Sequence, residues 1–185
     1  MAKSSRRPIQ LFLLVISLVA GCAQLKQCAY RGINRDQWQQ PEKVIAALQI
    51  RPGDRVADLG SGGGYFTFKL AASVGPTGKV YAVDVDREMV DLIEKQAQRD
   101  GVKNVETILA KADDPLLPKD GVDLIFTSNT YHHFDDRIAY FTSLRKYLTP
   151  RSEFIKREME QAGYTLRQEF DFLDRQSFIV FTAAK

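Results

Sequence analysis

Two carboxylates set around a run of glycines are the most informative residues in this chain. Asp58 closes the apolar run Val56-Ala57-Asp58 and is followed by glycines at 60, 62, 63 and 64. Twenty residues beyond Gly64, the run Val80-Tyr81-Ala82-Val83 ends in a second carboxylate, Asp84. A strand that turns through glycines into a helix leaves backbone bare where side chains would obstruct a ligand, and it aims free N–H groups at that ligand. A carboxylate at the next strand end can accept two hydrogen bonds from a ribose diol. The two elements together predict a cofactor pocket. A plain strand–helix turn with a capping Asp explains the first element and not the second.

Glycine spacing separates the cofactor classes. A dinucleotide fingerprint, G-x-G-x-x-G, would place its third glycine at Tyr65 or Thr67. That mismatch, and the lack of a hydride-transfer site, disfavours a nicotinamide-dependent oxidoreductase. The spacing D-x-G-x-G-x-G, filled by Asp58, Gly60, Gly62 and Gly64, resembles motif I of the class I S-adenosylmethionine-dependent methyltransferases. The opening Arg35-Asp36-Gln37-Trp38-Gln39-Gln40-Pro41 and the later Tyr131-His132-His133-Phe134 are similar to small-molecule members of the broad type-11 group. The resemblance covers residues 36 to 150 well and the last thirty or so moderately.

The resemblance implies S-adenosyl-L-methionine as cofactor and a role for each matching position. Gly60, Gly62 and Gly64 would let backbone approach the methionine end. Asp58 would order that loop and reach the amino group, and Asp84 would accept both ribose hydroxyls. Asp113, with Asp114 as the alternative, stands where the family places the acceptor for the adenine amine. Asn129, just past a strand, could hold the methionine ammonium through its carbonyl and side chain. Tyr131, His132 and His133 follow on the acceptor side, where an imidazole can take a proton from a hydroxyl or amine. Their plainer alternative is one His packed under the loop and the other solvated. Two adjacent histidines without a third ligand do not make a metal site. Trp38 and Phe66 either wall the pocket or pack in the core.

Periodicity gives the strands and helices on which these residues sit. Pro41 suits a helix start, with Val44, Ile45 and Leu48 on one face. Strands are expected at Arg55–Leu59, Lys79–Val85, Val105–Ala110 and Val122–Phe126. Helices follow the glycine loop (Phe66, Leu70, Val74), start from Asp86 (Met89, Ile93, Ala97, ended by Gly101) and start from Asp135 or Asp136 (Ile138, Phe141, Leu144, Leu148). A further helix is expected from Ser152, ended by Gly163. Tyr164–Phe172 and Ser177–Ala183 read as an antiparallel hairpin. The alternation implies an α/β, Rossmann-like, open and mostly parallel sheet with helices on both faces and a C-terminal hairpin. The family's fifth strand is expected soon after Leu148, behind a Pro-Gly-Gly. Here Leu148-Thr149-Pro150 runs straight into Arg151-Ser152-Glu153-Phe154. The chain is therefore expected to lack that strand and the substrate-side loop after it, an internal gap near residues 150–152.

The 185 residues suit one domain. The formal charge of +3 comes from Lys3, Arg6 and Arg7, so the body is neutral and gives no charge argument for nucleic acid. After those basic residues, Leu11 to Ala20 is apolar but too short for an ordinary spanning helix, and fits a signal-peptide core. Leu18-Val19-Ala20-Gly21-Cys22 resembles a bacterial lipobox, which makes residues 1–21 a lipoprotein signal peptide and Cys22 the lipid-anchored first residue, on the periplasmic or extracytoplasmic face. Residues 22–36 read as a tether and 37–185 as the domain. Only Cys28 remains as a free thiol, so no intramolecular disulfide is available. The expectation is a membrane-tethered methyltransferase acting on a small molecule. The alternative is a catalytically impaired cofactor-binding or structural lipoprotein.

Overall fold

The computed structural model describes residues 34–119, 121–147, 162–170, 172 and 178–183, the last stretch for its backbone alone. The signal peptide, Cys22, Cys28, the junction at 150–152 and the helix expected from Ser152 lie outside them. The described elements are α1 (Arg35–Gln39), α2 (Pro41–Ala47), β1 (Arg55–Leu59), α3 (Thr67–Val74), β2 (Lys79–Asp84), α4 (Arg87–Asp100), β3 (Val105–Leu109), β4 (Leu124–Thr127), a 3-10 turn (Tyr131–His133), α5 (Arg137–Leu144), β5 (Tyr164–Phe170) and β6 (Phe178–Ala183). Among the described residues no helix is long and apolar enough to cross a membrane.

Four strands pair in parallel in the order β3-β2-β1-β4, with Val56 opposite Val80 on one side and opposite Leu124 on the other. Parallel strands buried on both faces need apolar residues throughout, and β1 and β2 supply them. Side chains alternate across β1: Val56 joins Val44, Phe66, Leu70, Val74 and Phe126 on one face. Ala57 and Leu59 join Val83, Ile125, Phe141 and Leu144 on the other. The sheet therefore carries two cores, one under α2 and α3 and one under α5.

Helix ends follow the sequence. Asp86 caps α4 by accepting from the Glu88 N–H at 2.9 Å, and Gly101 ends it at a left-handed φ of 68°. Asp136 caps α5, accepting from the Ala139 N–H at 3.0 Å. Met89, Ile93 and Ala97 face the sheet as expected. Ile138 does not: it is 40% exposed. The buried stripe of α5 runs through Tyr140, Phe141 and Leu144, and at 100° per residue Ile138 stands roughly 115° from its centre.

β5 and β6 form the expected antiparallel hairpin, with Tyr164 opposite Ala183 and Phe170 opposite Phe178. It is a separate two-stranded sheet. Among the described residues no strand pairs with the outer edge of β4.

Candidate cofactor site

The carboxyl ends of β1 and β2 are stitched together by the glycine loop. As the chain leaves β1, the Gly60 and Ser61 N–H groups donate to the Val83 carbonyl at 2.8 and 3.1 Å. The Gly62 N–H then donates to Asp84 Oδ2 at 2.8 Å, while Asp84 Oδ1 accepts from the Asp86 N–H at 2.9 Å. Each carboxylate oxygen of Asp84 is thus held by one backbone donor, and each retains a lone pair. Gly60, Gly62 and Gly64 have φ values of 70°, 52° and 80°, a region that carries a steric penalty for side chains.

Two of these glycines also make room for protein. A Cβ on Gly60 would stand 2.1 Å from Thr130 Oγ1, and one on Gly64 would stand 2.8 Å from the Phe68 ring. Thr130 lies over the loop, with its hydroxyl donating toward the Gly60 and Ser128 carbonyls at 3.3 and 3.2 Å. Ser61 Oγ is buried and, among the described residues, is the buried side-chain polar atom without a hydrogen-bond partner.

Asp58 is 2% exposed, with Oδ2 accepting from Thr67 Oγ1 at 2.7 Å. Burial pushes its carboxyl up to about 7. The Thr67 hydroxyl pulls the other way, the Asp84 charge adds to the rise and the Arg35 guanidinium opposes it. A buried carboxyl whose pKa is raised by desolvation and biased by other charged groups marks a candidate functional site.

α1 supplies groups that the sequence reading did not assign. The Arg35 guanidinium lies 3.9 Å from the Tyr65 ring centroid, and its Nε donates to Gln39 Oε1 at 3.0 Å. Gln39 is 1% exposed and donates through Nε2 to Ser128 Oγ at 3.4 Å. The Tyr65 hydroxyl donates to Asp36 Oδ1. Arg35 and Asp36, read from the sequence as the end of a tether, therefore sit against the residue that follows Gly64. Gln39 is buried and Trp38 is only half-buried. The signal that could have found this cluster is its density of polar and cationic residues directly before a Pro-initiated helix.

The acceptor-side residues are arranged differently. Asn129 has a left-handed φ of 60° and is exposed. His132 and His133 are exposed in the 3-10 turn, their rings 4.1 Å apart. Tyr131 is half-buried, with its ring 5.3 Å from Phe141 and Arg137 5.5 Å from its face. Neither histidine packs under the loop. Asp113 is exposed beyond β3. Asp114, its alternative, accepts from the Tyr147 hydroxyl at 2.5 Å, the Leu116 N–H at 2.9 Å and Lys146 Nζ at 3.4 Å. The Tyr147 hydrogen bond comes first among the interactions that hold its carboxyl below the ordinary range. Asp114 is thus a brace for the loop, which leaves Asp113 as the acidic group open to a ligand. Phe66 is core, 4% exposed and 4.8 Å from the Phe126 ring. Among the described residues no three His, Cys, Asp or Glu side chains gather as metal ligands do.

This geometry has counterparts. A family model described as a methyltransferase domain matches residues 50–177. A ubiquinone/menaquinone biosynthesis C-methyltransferase from Francisella philomiragia is 29% identical over 131 residues, 70% of this chain and 51% of that protein. A probable cobalt-precorrin-6B C(15)-methyltransferase from Saccharolobus solfataricus is 33% identical over 74 residues, 40% of this chain and 37% of its own. The chain thus spans about half, or less, of the length of these two curated relatives. A crystal structure of an S-adenosylmethionine-dependent methyltransferase from Aquifex aeolicus superposes with a TM-score of 0.74 at 25% identity, over 82% of this chain and 93% of that one. With a parallel sheet, a left-handed glycine loop and an acid at the tip of β2, the chain belongs to the methyltransferase-domain family.

Proposed function

We propose that this chain binds S-adenosylmethionine at the carboxyl ends of β1 and β2 and transfers its methyl group to a small-molecule acceptor admitted beside the end of β4. The observation that carries the reading is the glycine loop tied to Asp84, which leaves one lone pair on each oxygen of that carboxylate at the tip of β2. The donor set fits the group. Asp84 offers two acceptors for a diol, and Ser61 Oγ is a buried hydroxyl awaiting a polar partner. Asp58 is a buried carboxyl at the start of the same loop, available to a cationic group.

Bound there, the cofactor supplies an activated methyl on a cationic sulfur. The protein's own residues align and desolvate. Asp84 fixes the sugar, and the Gly60–Gly64 backbone sets the depth of the loop. Asp58 supplies negative charge near the amino-acid end, and Asp113 can accept from an exocyclic amine. Because the donor is already activated, proximity and exclusion of water account for most of the acceleration, and a proton acceptor is needed only for a weak nucleophile. Exposed His132 and His133 suit that second task, with Tyr131 ordering their turn by its packing on Phe141.

The N-terminal reading remains part of the proposal: residues 1–21 as signal peptide and Cys22 as lipid anchor. The reading that the family's fifth strand is missing is supported by the outer edge of β4, unpaired among the described residues, and by a hairpin that pairs only with itself there.

The test is methyl transfer from labelled S-adenosylmethionine by the purified full chain over a panel of small hydroxyl, amine and carbon acceptors. Labelled product is expected. Cofactor binding without product for any acceptor would favour the impaired, cofactor-binding lipoprotein, and no binding would remove the reading. Labelled palmitate should enter the wild-type protein and not Cys22→Ser. Label in that variant would remove the anchor.

A further inference from the structure

The residues of α1 are the part of the pocket that the function above leaves without a task. Asp58 and Asp84 place two carboxyl groups at one end of the sheet, and a cofactor whose own amino-acid end carries a carboxylate needs a cation beside them. Two cations flank Tyr65: Lys69, 5.4 Å from its ring centroid and paired with Glu42 at 3.5 Å, and Arg35. Its guanidinium is half-buried and stacked 3.9 Å from the Tyr65 ring centroid, immediately after the glycine loop. Its Nε is oriented by buried Gln39, which is in turn anchored to Ser128 just beyond β4. The Tyr65 hydroxyl is fixed by Asp36. Asp58 and Arg35 feel each other's charge. Stacking, a buried amide and a flanking carboxyl hold a planar donor fork in one orientation at the carboxyl edge of β1, an expensive arrangement for a surface charge.

Resting on the cofactor reading above, we propose that Arg35 is the counter-ion for the carboxylate of the cofactor's amino-acid end. Asp58 then faces the ammonium, and the pair forms a socket for a zwitterion. Gln39 and Tyr65 are positioning residues that act through Arg35. Whatever contacts the guanidinium makes without ligand, a carboxylate offers a bidentate partner with two parallel charge-assisted hydrogen bonds.

Three ligands separate this role from simple packing: S-adenosylhomocysteine, its decarboxylated analogue and 5′-methylthioadenosine, which lacks the amino-acid end altogether. Titration calorimetry on the full chain should show Arg35→Ala weakening S-adenosylhomocysteine about 10- to 100-fold, the loss typical of a hydrogen-bonded charge. The other two ligands should change by less than about 3-fold. Arg35→Lys, which keeps the charge and an aliphatic stem, should give an intermediate loss confined to S-adenosylhomocysteine, and it serves if Arg35→Ala does not fold. Equal losses for all three ligands, or none for S-adenosylhomocysteine, would overturn the counter-ion role and leave the cofactor reading standing. A wild-type protein that binds none of the three would overturn both.

Discussion

The carboxyl ends of β1 and β2 and the carboxyl end of β4 lie on one edge of one sheet, yet they are built on different principles. At β1 and β2 the polar groups are enclosed and tied down: Asp58 is 2% exposed, and both oxygens of Asp84 accept from backbone N–H groups. At β4, Asn129, His132 and His133 stand in solvent. The first region stores its specificity in backbone geometry before any ligand arrives, which suits a cofactor shared across a family. The second presents its side chains at the surface, in the kind of loop that varies most readily.

That contrast breaks most sharply at Gly60. Alanine there meets a φ of 70° and the Thr130 side chain at 2.1 Å. Gly60→Ala should cost about 3 kcal/mol or more of stability, read as a fall in urea midpoint, with loss of cofactor binding. Adding Thr130→Gly should recover part of it, because the clash is relieved while the backbone strain remains. A Gly60→Ala protein with wild-type stability would mean that the loop is softer than its geometry says.

Asp58 makes the enclosed region sensitive to pH. Its folded pKa of about 7 lies above the ordinary 3.8, so the folded state keeps a proton that the unfolded state has lost. Stability from this group is intact below about pH 4, declines as pH rises and is fully lost above about 7, on the order of 4 kcal/mol for the whole shift. Asp58→Asn should therefore be more stable at pH 8, by about 2 kcal/mol read from a higher urea midpoint, with the gain shrinking toward pH 4. Cofactor affinity should fall in the variant, since a cationic partner favours the ionised carboxyl. In the wild type, affinity should likewise drop as pH falls below 7. A variant less stable than wild type at pH 8 would show that the carboxylate is better compensated than its burial indicates.

The smallest effects belong to the exposed turn. His132→Ala and His133→Ala should change stability by no more than about 0.5 kcal/mol and cofactor affinity hardly at all. Turnover of a weakly nucleophilic acceptor should fall about 10- to 100-fold in whichever variant removes the proton acceptor. A large loss of cofactor binding in either would erase the division between the two regions.

What the sequence disclosed follows the same division. Backbone-driven features were legible. Glycines forced the loop, Asp86 and Asp136 capped their helices, and apolar runs placed β1 to β4 within a residue or two. Side-chain partnerships across the fold were not. Nothing in local spacing says that Tyr65 will meet Asp36 or that Gln39 will be buried against Ser128, because those contacts join segments 29 and 89 residues apart. Ile138 illustrates a milder failure. Helical spacing to Phe141 allowed two faces, and the aromatic pair Tyr140 and Phe141 decided which one turned inward. Asp113 and Asp114 could not be separated until Tyr147 and Lys146 came into place around Asp114.

Everything proposed for the pocket depends on the loop-tethered acid at the tip of β2 holding the cofactor's sugar. Calorimetry of S-adenosylhomocysteine with the full chain tests it directly, comparing wild type with Asp84→Asn. That amide keeps the shape of the carboxylate but loses its charge and one acceptor. Saturable binding to wild type and a loss of about 100-fold in the variant are expected. Equal affinity of the two proteins, or no heat of binding to either, would contradict it.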